Sequence, residues 1–138
     1  MVILFDRYNL PEDVYEVIFA TKQQIIVGKL LVVMIKEKGG EITKTEMSFF
    51  ATQLHEGKII TDQIDEAPYR GKKVKISYNK RQFYDRILTP MKSMGIIDYD
   101  LYKKTYRLTD KFNKEMIRIG LMWLQELRKL PNEIRKNA

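Results

Sequence analysis

Apolar residues recur at helical spacing along most of the chain, and the gaps between runs carry residues that cap or end helices. Asn9 stands before Pro11 and Glu12, a capping residue followed by a proline tolerated in a first turn. This predicts a first helix from about Pro11 to Ala20, with Val14, Val17 and Ile18 on its apolar side. Thr21 repeats the capping pattern, and a second helix is expected to run to Lys38 and stop at Gly39-Gly40. That helix is apolar nearly all round (Ile25, Ile26, Val27, Leu30, Leu31, Val33, Met34), the pattern of a central core helix. Glu41-Ile42 is a short extended link. Thr43 and Glu46 then form a capping-box pair, opening a third helix to about His55 with Met47, Phe50, Ala51 and Leu54 inward.

The periodicity fails between Gly57 and Ser77, where Gly57, Pro68, Gly71 and the alternating Lys73-Val74-Lys75-Ile76 suggest an extended loop with a short strand or hairpin. Asn79 caps a fourth helix whose inward residues are Phe83, Ile87, Leu88 and Met91. Pro90 lacks an amide hydrogen and is expected to kink or shorten it, and Gly95 ends it. Two β-prone runs around Ile96–Tyr99 and Lys103–Leu108 predict a hairpin. Thr109-Asp110 caps a final helix with Phe112, Met116, Ile119, Trp123, Leu127 and Leu130 at near-heptad spacing and Ile117, Leu121 and Leu124 in a second row. The expected architecture is one domain, 1–138, mainly α with a small β-hairpin (α+β).

Charge changes the picture. The chain carries +7, but Arg70 to Arg107 alone holds eleven basic residues against three aspartates, so the whole excess lies in that stretch. A basic face of this kind suits a polyanion. Cysteine is absent and His55 is the one histidine, which excludes disulfides, thiolate chemistry and Cys/His metal sites. No signal-peptide pattern and no membrane-length apolar run is found, so a cytoplasmic location is expected.

The order helix, short strand, helix, helix, β-hairpin, helix, with Met94-Gly95-Ile96-Ile97-Asp98-Tyr99 and Lys104-Thr105-Tyr106-Arg107-Leu108-Thr109-Asp110, resembles winged-helix DNA-binding regulators, broadly of the MarR and PadR kind. The resemblance covers about residues 21–112, with flanking N- and C-terminal helices outside it. It departs from the MarR pattern in two places. Lys103-Lys104 stands where that wing carries Asp-x-Arg, and about 20 residues separate the third and fourth helices.

The resemblance implies double-stranded DNA as partner and a homodimer. The fourth helix would enter the major groove with Lys80, Arg81, Gln82, Asp85, Arg86 and Thr89 outward. Lys103 and Lys104, with Tyr102 beside them, would approach phosphates or the minor groove from the wing. Arg70, Lys72, Lys73 and Lys75 would contact phosphates. Met116, Ile119, Trp123, Leu127 and Leu130 would form the dimer interface, in a helix spanning 110–130. No cofactor or metal is expected, and no catalytic residue. Phosphate-loop, G-x-S-x-G and H-E-x-x-H patterns are missing, and Asp62, Asp65 and Glu66 read as an acidic loop sooner than a magnesium site. The alternative is a winged-helix module that docks a protein partner or a replication assembly without regulating genes.

Overall fold

A computed structural model describes residues 6–61 and 72–132. Its elements in order are α1 (Val14–Ile18), α2 (Lys22–Glu37), β1 (Glu41–Thr43), α3 (Lys44–His55), β2 (Ile59–Thr61), β3 (Val74–Ile76), α4 (Lys80–Phe83), a π-helical turn (Tyr84–Leu88), α5 (Thr89–Ser93), β4 (Ile97–Asp100), β5 (Thr105–Leu108) and α6 (Lys111–Arg128). The architecture is α+β, with small antiparallel sheets among helices. No described helix is long and apolar enough to cross a membrane.

The first helix is shorter than its capping pattern predicts. Asp13, not Asn9, caps it, its carboxylate accepting the Tyr15 amide at 2.9 Å and pairing with Lys29 of α2. Val14, expected inward, is exposed. The tie to α2 fixes where the helix begins, and that tie is tertiary.

The central helices follow the sequence closely. Thr21 caps α2 through the Gln24 amide, and α2 buries Ile25, Val27, Gly28, Leu31, Val32 and Ile35. Gly39 and Gly40, both at positive φ, turn the chain out of it into β1. The Thr43–Glu46 capping box is complete, and α3 buries Met47, Phe50, Ala51 and Leu54. Gly28 has a packing reason: a Cβ there would lie 2.6 Å from the Phe19 ring, so the two elements meet only over a glycine.

Strands β4 and β5 form a hairpin, and β1 adds to its outer edge, giving a sheet of order β1-β5-β4. Tyr106 is paired with both Ile42 and Tyr99 and is buried. The second ribbon, β2 with β3, is inserted between α3 and α4, with Ile59 opposite Ile76 and Ile60 opposite Lys75. The predicted loop over 57–77 therefore contains a paired ribbon.

Of the two expected effects of Pro90, shortening of the fourth helix does not occur. The chain stays helical from Lys80 to Ser93, and a π turn just upstream takes up the disturbance, with the Thr89 amide bonding to the Tyr84 carbonyl five residues back. Pro90 cannot donate to Arg86, and its ring crowds that carbonyl. The wider turn relieves both problems while Phe83, Ile87, Leu88 and Met91 stay buried. Gly95, at φ +83°, then turns the chain into β4, and a Cβ there would meet the Phe112 backbone nitrogen at 3.0 Å.

The core runs from Phe19 to Tyr106 and includes no residue of α6. Asp110 at the α6 N-cap makes no side-chain capping bond. The Thr109 hydroxyl instead accepts the Lys111 amide at 3.3 Å.

Candidate nucleic-acid interface

A surface for phosphates needs cations that are exposed and not already neutralised. By this criterion the basic residues of the 70–107 stretch divide. Arg107 is engaged with Asp98, which also binds Lys111. The hydrogen bond from Lys111, then Arg107, holds the Asp98 carboxyl below the ordinary aspartate range. Lys92 lies over the Tyr99 and Tyr106 rings. Among the described residues, Lys72, Lys73, Lys75, Arg86, Lys103 and Lys104 are exposed and have no ion-pair partner. Arg70, Asp62, Asp65 and Glu66 lie outside the described residues.

On the fourth helix, Arg81, Gln82, Asp85, Arg86 and Thr89 are all exposed, as their spacing predicts. Arg81 is within 3.8 Å of Asp85, a surface pair too open to hold the guanidinium. Asn79 caps the helix by accepting the Gln82 amide at 3.1 Å. Lys80 is different. Its amide donates to His55 Nδ1 at 3.1 Å and its ammonium to the Thr52 hydroxyl at 3.0 Å, so it joins α4 to α3 instead of projecting freely. The bond from Lys80 makes His55 structural, with an imidazole nitrogen accepting from an amide left unpaired at a helix start.

The hairpin tip is rigid by local bonding. Asp100 Oδ1 accepts both the Tyr102 and Lys103 amides, at 2.9 and 3.1 Å. These bonds, that from Lys103 foremost, hold its carboxyl below the ordinary range. Lys104 sits at φ +54°, and its carbonyl accepts the Lys44 amide at 2.9 Å.

One feature of this surface is missed by the sequence reading. Thr45, Ser48 and Thr52 share the outer side of α3, lining with Lys44 and Phe49 a shallow depression of about 440 Å³. Hydroxyls spaced i, i+3, i+7 beside a lysine suit phosphate oxygens, and that spacing opposite the apolar positions was the available signal. By contrast, the charges lining an apolar groove of about 610 Å³ between α2, α3 and β2 are Glu37 and the paired Lys38 and Glu46, which leave it no free cation for a polyanion.

The expected dimer residues Met116, Ile119, Trp123, Leu127 and Leu130 are all exposed, and α6 buries none of its residues. Met116 and Ile119 line, with Val17, Met94 and Phe112, an open groove of about 670 Å³ where α6 leaves the domain.

Comparison of the chain with known protein families, curated proteins and solved structures finds no match.

Proposed function

We propose that this chain is a winged-helix protein of the cytoplasm that binds double-stranded DNA with sequence preference and regulates transcription as a homodimer. The observation that carries the reading is a coincidence of connectivity and charge. The order α2, β1, α3, α4–α5, β4, β5 with the sheet order β1-β5-β4 is the one expected of a winged helix when the β2–β3 ribbon between α3 and α4 is taken as an insertion. The uncommitted cations fall at β3 (Lys72, Lys73, Lys75), on the helix before the hairpin (Arg86) and on the hairpin tip (Lys103, Lys104). In this arrangement α4 enters the major groove. Arg81, Gln82 and Arg86 read base edges, as guanidinium and amide groups match guanine and adenine acceptor patterns. Lys103, Lys104, Lys72, Lys73 and Lys75 neutralise phosphates, joined by Lys44 and the α3 hydroxyls. Lys80 is an anchor for α4 first and a phosphate contact second.

The uncovered apolar side of α6 supports the dimer. A helix with this much apolar surface in water is stabilised chiefly by packing against something, and a second α6 has the complementary stripe.

The test is titration of a random-sequence duplex at about 50 and 200 mM salt, where contact with six or more phosphates predicts a fall in affinity of about a thousandfold. Absence of binding at the lower salt overturns the proposal and favours a protein-docking module. Steep salt dependence supports it, and selection of preferred sites then locates the regulated sequences.

A further inference from the structure

The hairpin tip exposes two large apolar side chains where a solvated turn would carry polar ones. Tyr102 is 99% exposed and Leu101 is 76% exposed. They are not on a loose loop, since Asp100 fixes both the Tyr102 and Lys103 amides and Lys44 fixes the Lys104 carbonyl. The turn is also held at a cost. Lys104 occupies the left-handed region at φ +54°, where a side chain is disfavoured and glycine or asparagine is the ordinary choice. A strained lysine beside two water-exposed apolar groups, in a turn with no packing of its own, points to selection for what the tip contacts.

Resting on the DNA-binding reading, we propose that the tip is a wedge: Leu101 and Tyr102 enter the minor groove, part a base step and bend the duplex, while Lys103 and Lys104 hold the phosphates on either side. The occupant follows from the charge around the apolar pair. Lys103 and Lys104 have no ion-pair partner among the described residues, and the one carboxylate in the turn, Asp100, is turned inward onto backbone amides. The adjoining Lys44 is likewise exposed and unpaired among the described residues. A leucine and a ring of this size match the side chains that unstack a step from the minor-groove side. The unstacking energy is returned by the extra protein surface that a bent duplex contacts. Rigidity of the turn matters because a wedge that had first to be ordered would lose part of that return.

The test uses the full chain and a 30-base-pair A·T-rich duplex with central TA steps, labelled at its ends with a donor and acceptor. The wild type is expected to raise energy transfer on binding. Leu101→Ala with Tyr102→Ala removes only exposed atoms, so the fold is retained. That variant should lose the transfer change and about tenfold in affinity, the burial of two apolar side chains less the energy spent in unstacking the step. Lys103→Ala with Lys104→Ala should keep the change at saturation and lessen the salt slope. Binding without bending by the wild type overturns the wedge and leaves the DNA-binding reading intact, as does unchanged bending in the Leu101/Tyr102 variant. No duplex binding at any salt overturns both. Sedimentation of the wild type, but not the Leu101/Tyr102 variant, with phosphatidylserine vesicles in preference to the duplex also overturns the wedge and assigns the tip to a lipid surface.

Discussion

Helices α2 and α6 are close in length and both rich in apolar residues, yet they end in opposite environments. α2 buries six residues, while the large apolar side chains of α6 from Met116 to Leu127 remain 39% to 65% exposed. The patterns differ in the same sense. In α2 apolar residues lie nearly all round, and neighbours from the same chain cover them: α1 with Phe19, β1, the π turn and β5. In α6 they form one broad side, with Lys114, Glu115, Arg118, Gln125 and Glu126 opposite. An encircled pattern is satisfied within the fold, and a one-sided pattern on a helix that leaves the fold calls for a surface supplied from outside.

The difference can be broken or sharpened experimentally, in falling order of effect. Leu31→Ala, at a fully buried site of α2, should cost about 3–4 kcal/mol in urea unfolding. A loss under about 1 kcal/mol would mean that α2 is not the central support of the core. In α6, Leu127→Asp should leave the domain's own unfolding within about 0.5 kcal/mol of the parent. It should nevertheless weaken self-association by about a hundredfold, because the partner helix would have to bury the introduced charge. Sedimentation measures this directly, and a parent protein that is monomeric at all concentrations would break the comparison on the α6 side. Gly28→Ala should cost about 1–3 kcal/mol, since the added methyl meets the Phe19 ring at 2.6 Å. Gly120→Ala, where a Cβ meets nothing, should instead stabilise α6 slightly.

The smallest effect concerns the junction of α6 with the hairpin. Lys111 and Arg107 hold the Asp98 carboxyl below its ordinary value of 3.8. A depressed folded value means that the stabilisation is fully present above pH 3.8 and fades as pH falls through the folded value. Acid should therefore loosen the start of α6, as read by amide exchange over residues 111–114, and Asp98→Asn should remove that pH dependence while leaving the acid response of the Asp13–Lys29 tie to α2 in place. An acid response at the start of α6 unchanged by Asp98→Asn would discard the junction.

What was legible in the sequence was local. The Thr43–Glu46 box, the Gly39-Gly40 stop and the inward set Phe83, Ile87, Leu88 and Met91 involve residues within a few positions of one another, and each stands as expected. What was not legible depends on distant partners. Asp13 displaced Asn9 as a cap because Lys29 holds its carboxylate. Lys80 reads as a free cation until α3 brings Thr52 and His55 against it, and Arg107 until the hairpin register sets it opposite Asp98. The β2 strand has only three residues and gains its identity from pairing with β3. Pro90 announced a disturbance, but whether the helix would break or widen was decided by the core beneath it.

That widening bears on how α4 would read a groove. A π turn holds one more residue than the α-helical turn it replaces, so it acts as a phase shifter between two halves of one rod. Phe83 before the turn, Ile87 and Leu88 within it and Met91 after it are all buried, so the extra residue is what lets one rod keep its apolar side on the core across Pro90. Deleting Asp85, an exposed position of the turn, would rotate the Arg81 end by about 100° about the axis. That rotation would carry Phe83 out of the core and Lys80 away from Thr52 and His55, so the phase of the two halves is set by packing at both ends.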